Sequence, residues 1–184
     1  MDTWVWIVIG VVVAIVVLAV LANALRMRRS RSLQDRFGRE YDRTVDKAGG
    51  RREAEQELRK REQRHDELEL RPLSADARER YLRQWQVTQG RFVDDPTGAV
   101  SEADNLVQQV MRDRGYPVDD FEQRAADLSV DHPAVISNYR AGHGISIANE
   151  RGKASTEDLR TAMVHYRELF TELLEERPVR AAQT

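Results

Sequence analysis

The sequence predicts an all-α chain with one N-terminal transmembrane helix, charged juxtamembrane helices and a compact domain of about five helices. Three observations carry that expectation. Trp4 to Leu25 holds no formal charge; residues 51–71 are mostly charged; and from residue 72 onward apolar residues recur at helical spacing, with no alternating run bounded by turns.

At about 1.5 Å per residue, a helix from Trp4 to Leu25 covers about 33 Å, slightly more than a hydrocarbon core. The block from Val11 to Val17 is β-branched enough for a strand, but the run is too long for one. Ala22-Asn23-Ala24 fits a signal-peptidase site. Against cleavage stand an N-terminus without Lys or Arg and an apolar run longer than a usual signal core. Arg26, Arg28, Arg29 and Arg31 all follow the run, and basic residues stay on the cytoplasmic side. Trp4 and Trp6 suit the opposite interface, while Val12, Val16 and Leu21 fill the span. The expectation is therefore an uncleaved single-pass anchor at residues 4–25, with residues 1–3 outside and the remainder cytoplasmic. Secretion is the alternative.

Residues 26–71 read as a basic juxtamembrane segment and a charged helical stalk. Leu33, Phe37, Tyr41 and Val45 recur every four residues among arginines, a stripe that suits either anionic headgroups or a neighbouring part of the chain. Gly38 weakens that helix and Gly49-Gly50 ends it. In residues 51–71, 14 of 21 residues are charged, which reads as a solvated helix. Its thin seam of Ala54, Leu58, His65 and Leu68 is interrupted by Arg61, so a homo-oligomeric coil through 51–71 is the lesser reading, and His65 reads as exposed.

Residues 72–178 form the expected helical domain, before a disordered tail at 179–184. Ser74 caps a first helix marked by Ala77, Tyr81, Trp85, Thr88 and Phe92. Ala103, Leu106, Val107, Val110 and Met111 mark a second, and Phe121, Ala125 and Leu128 a short third. Ile136, Tyr139, His143 and Ile147 mark a fourth; Leu159, Met163, Tyr166, Phe170 and Leu173 mark a fifth, opened by Ser155. The aromatic residues Trp85, Phe92, Phe121, Tyr139, Tyr166 and Phe170 are the expected core.

Zero cysteines exclude a disulfide framework, a thiolate metal site and a catalytic cysteine. Residues 1–71 carry 15 basic and 12 acidic side chains, and residues 72–184 carry 14 and 19, so the distal part lacks the basic face that nucleic acid needs. Asp94/Asp95, Asp119/Asp120 and Asp131-His132 resemble pieces of an acid–base site. Each stands where a helix is expected to begin, so Asp95, Asp120 and Asp131 read as helix caps instead. His132 and His143 would be separated by about 16 Å of helical rise, too far to share a metal. No catalytic set, cofactor or metal is expected, and the chain contains no HExxH, GxSxG, phosphate loop or EF-hand.

The stretches RFGREYDRTV at 36–45, ELRPLSADARERY at 69–81, RFVDDPTGAVSEADNLV at 91–107, RGYPVDDFEQRAADLSVDHPAVISNYRAGH at 114–143 and STEDLRTAMVHYRELF at 155–170 carry a resemblance. With them the chain resembles a widespread family of uncharacterised bacterial single-pass membrane proteins over nearly its full length. The resemblance implies an anchored helical protein and transfers no catalytic residue. The function expected is binding of a protein partner near the membrane. The alternatives are a membrane-tethered hydrolase using a His/Asp pair, His132 or His143 with a nearby Asp, and an exported helical domain that meets envelope components.

Overall fold

The computed structural model describes residues 3–175, all of whose regular elements are helices: α1 (Thr3–Phe37), α2 (Arg39–Ala48), α3 (Arg51–Asp66), α4 (Ala75–Arg91), α5 (Pro96–Asp113), α6 (Phe121–Asp131), α7 (Ile136–Glu150) and α8 (Thr156–Leu174). The expected tail at 179–184 lies outside the described residues.

Local chemistry sets most of these boundaries. Ser74 Oγ accepts from Ala77 N–H at 3.2 Å to open α4. Asp95 accepts from Gly98 N–H at 2.9 Å, with Pro96 in the first turn of α5 where a missing N–H costs nothing. Asp120 accepts from Gln123 N–H at 2.7 Å. Ser155 and Asp158 satisfy each other's backbone N–H groups at the start of α8, forming a capping box. Between α5 and α6, Gly115 adopts φ +95°, and a Cβ there would meet the Glu69 carbonyl oxygen at 2.5 Å. Only glycine fits that approach.

The core is built around α5. Val100, Ala103, Leu106, Val107, Val110 and Met111 are buried on it. Helices α4 and α8 flank it, and α7 packs against both α5 and α8. Trp85 of α4 stacks on Phe170 of α8 at 4.8 Å, and Tyr139 of α7 meets Tyr166 of α8 edge-on. Arg114 Nη1 donates to the Leu173 carbonyl at 2.7 Å, satisfying one of the acceptors left over at the end of α8. Phe92 and Phe121, expected in the core, are only partly buried and pack at its edge.

Several expectations for the N-terminal third are corrected. Helix α1 runs without a break from the apolar segment into a polar one containing Arg26, Arg28, Arg29, Arg31, Asp35 and Arg36. Among the described residues no helix is long and apolar enough to cross a membrane. The transmembrane anchor, the membrane as partner, the outside-to-cytoplasm topology and the orienting role of the four arginines are therefore withdrawn. Trp4, Val12, Val16 and Leu21 are exposed on α1, and the side chain of Trp6 lies outside the described residues. Length and hydropathy prompted the anchor reading, yet the last two turns of α1 are committed to packing: Ser30, Leu33 and Phe37 are buried.

The charged stalk also folds back onto the body. Gly38, at φ +50°, separates α1 from α2, but Leu33, Phe37 and Tyr41 still converge with Leu58 of α3 and Val130 of α6 in a second small core, against which Val45 packs. Helix α3 lies on α6. Its seam of Ala54, Leu58, Arg61 and His65 is buried within the chain and is not available for a homo-oligomeric coil. His65, expected in solvent, is 7% exposed.

Candidate functional site

Of the polar groups that looked catalytic in sequence, Asp95 and Asp120 cap helices, and Asp131, His132 and His143 fall into three separate places. The first is the seam where α2 and α3 meet α6 and α7. Glu40 Oε1 accepts from Arg61 at 3.1 Å and from Arg140 at 3.0 Å, with all three side chains at most 8% exposed. Arg140 also reaches Glu122, which takes Lys47 as well. Further along α3, Arg64 donates to Asp127 at 3.2 Å, and Gln123 shares the same oxygen. Asp127 is fully buried; desolvation outweighs Arg64 and pushes its carboxyl above the usual range.

Asp131 belongs to this seam and is not a helix cap. It is the last residue of α6, and α7 starts at Ile136 behind Val135 with no side-chain cap. A carboxylate at a helix C-terminus opposes the dipole, so it needs a donor. His65 Nε2 supplies one at 2.7 Å, and Tyr116 Oη lies at 3.4 Å from the same oxygen. Burial acts to raise the Asp131 pKa, but the bonds and charge of His65 outweigh it and hold the pKa low.

The second place holds His132, 3% exposed, whose Nδ1 lies 3.2 Å from Glu172 Oε1 and whose Nε2 has no hydrogen-bond partner among the described residues. Desolvation depresses its pKa, so the ring is held neutral. His143 occupies the third place. It stacks on Phe121 with 3.6 Å between ring centres, at the wall of an open cavity of about 470 Å³ also lined by Arg43, Glu122, Ser137 and Arg140. Burial lowers its pKa too, and its Nδ1 has no hydrogen-bond partner among the described residues. His132 and His143 thus stand on different elements, in different surroundings. Among the described residues no three His, Asp or Glu side chains converge on a metal-binding position.

Sequence reasoning missed a fourth feature. Helices α4 and α8 both pack on α5, and between them runs a cleft of about 260 Å³. Trp85, Phe92 and Met163 form its apolar floor, Val164 and Gln89 stand on its walls, and Arg160 and Arg167 lie along the α8 rim. Trp85 and Met163 are nearly buried, whereas Val164 is 39% exposed. Leu82, 46% exposed, sits one turn before Trp85 along α4. The signal available in sequence was the partly apolar outer edge of two helices, but nothing local brings those edges together.

Neither a family model, nor a curated protein, nor a solved structure matches the chain. The resemblance to a single-pass membrane family is corrected on that ground, together with the finding that no described helix is long and apolar enough to cross a membrane.

Proposed function

We propose that the chain is a helical binding module that receives a segment of a protein partner in the cleft between α4 and α8. The observation carrying this reading is the cleft itself: an aromatic and thioether floor, open to solvent, with two guanidinium groups along one rim. Large apolar side chains set in a recess and edged by arginine are what well-used protein contacts are made of.

The competing reading, a hydrolase using a His/Asp pair, has one specific observation in its favour, the 2.7 Å contact between His65 and Asp131. Its histidine side chain is only 8% exposed, which leaves little room for a substrate. A photo-crosslinking residue placed at Val164 of the full chain should give a discrete adduct in cells, and one placed at Glu150, exposed on α7, should not. Turnover of an ester, amide or phosphoester by the purified chain, abolished by His65→Gln, would favour the hydrolase instead.

A further inference from the structure

The α4–α8 cleft also carries information about what fills it. Its apolar floor is a strip supplied by two helices, with Trp85 on α4, Phe92 seven residues later at the cap that ends α4, and Met163 on α8. A strip of that form matches the apolar ridge of a helix, whose i, i+3, i+4 and i+7 side chains stand in a row. The rim is charged with one sign. Arg160 and Arg167 stand seven residues apart, two turns and about 10 Å along α8. Arg167 has no carboxylate within ion-pairing distance among the described residues. Among the described residues Arg160 pairs with Glu157 alone, in a contact with both side chains more than 60% exposed. So exposed a pair is held weakly and can exchange for another carboxylate. No acidic side chain lines the cleft.

We infer that the cleft takes an acidic amphipathic helix of a partner protein, with its apolar ridge on Trp85, Phe92 and Met163 and carboxylates two turns apart on Arg160 and Arg167. The inference rests on the binding-module reading above and adds the partner's chemistry. Carboxylates spaced seven residues apart on the incoming helix lie at the same interval as the two arginines, so one register satisfies both. A basic helix would place like charges there and be rejected.

The test uses the full-length chain and two synthetic helix-forming peptides with the same leucine ridge, one with glutamates seven residues apart beside it and the other with lysines. Fluorescence anisotropy of the labelled peptides reads binding. The glutamate peptide should bind, more weakly as salt rises, and the lysine peptide should not. Arg160→Glu with Arg167→Glu should weaken the glutamate peptide about tenfold or more and admit the lysine peptide. Val164→Lys should block the glutamate peptide, with an unchanged circular dichroism spectrum showing that the fold is intact. Equal binding of the two peptides, or binding indifferent to the arginine reversals, overturns the assignment of an acidic partner. If neither peptide binds but Val164 still crosslinks a protein in cells, the acidic helix is wrong and the binding module stands. If neither occurs, both fall.

Discussion

His65 and Asp131, 66 residues apart in the chain, meet at 2.7 Å where α3 crosses the end of α6. The contact joins the N-terminal helices to the body, and Tyr116 approaches the same carboxylate oxygen. Asp131→Ala would therefore leave a buried imidazole without its acceptor. The expected loss is about 2 kcal/mol, the scale for a buried polar group deprived of its partner. Asp120→Ala removes an exposed cap and should cost about 1 kcal/mol, whereas Asp120→Asn should be nearly neutral because its amide oxygen accepts the same backbone bond. Urea denaturation of the three variants orders them, and equal losses for Asp131→Ala and Asp120→Ala would remove the case for a structural link.

Glu40 should be the least replaceable carboxylate of the seam. Its side chain is 3% exposed and holds Arg61 and Arg140 together, so Glu40→Ala strands two buried guanidinium groups. Arg61 keeps Glu57 and Arg140 keeps Glu122, which offsets part of the loss. The net cost should be about 3 kcal/mol, at the lower end for breaking a buried ion pair. Thermal unfolding measures it, with exposed Glu79→Ala on α4 as the control expected within about 0.5 kcal/mol of the parent.

What could be read from sequence was what is decided within one turn of helix. Pro96 behind Asp95, and Ser155 three residues before Asp158, mark helix starts with no help from the rest of the fold. The stripe of Leu106, Val107 and Val110 likewise names a buried face. Arg61 and His65 could not be read, because a charged residue in a charged helix is assigned to solvent until its partner is known, and Glu40 and Asp131 come from other helices. Asp131 misled because His132-Pro133 looks like a helix start, whereas burial of Leu128 and Val130 keeps α6 helical to its end. The apolar run of α1 misled through length and hydropathy, which do not register where the same helix turns polar and packs. The α4–α8 cleft exists only as a relation between two helices that share α5.

Acid should loosen the chain through His132. Its folded pKa is depressed by desolvation below the free value of about 6.5, so below that pH the unfolded state binds the extra proton and the folded state does not. Stability from this group is therefore complete above the free value and falls as pH drops through it. Asp131, whose folded pKa is also low, adds a second loss further into acid, below the free carboxylate range. The urea midpoint should fall between pH 7.5 and about 5.5, and His132→Gln should flatten that part of the curve. A parent and variant with parallel profiles over the interval would show that another group sets the slope.

The N-terminal half of α1 should be dispensable for the fold. Trp4, Val12, Val13, Ile15 to Leu18, Val20, Leu21 and Leu25 are each at least half exposed, and the first buried residue along the described chain is Ser30, where the contacts with Glu55 and Arg51 begin. A chain starting at Leu25 retains Ser30, Leu33 and Phe37, and with them the small core shared by α1, α3 and α6. Its helical circular dichroism should fall only by the residues removed, and its unfolding free energy from urea denaturation should match the full chain to within about 0.5 kcal/mol, the usual scatter for changes away from buried contacts. Starting instead at Arg39 removes Leu33 and Phe37 from that core, and deleting buried side chains of this size costs about 2 to 5 kcal/mol each. Helix α3 should then lose protection from hydrogen exchange ahead of α5 and α8, because the cluster it leans on is gone while the main core is untouched. A chain starting at Leu25 that unfolds several kcal/mol more easily would mean that the apolar half of α1 packs on the body after all.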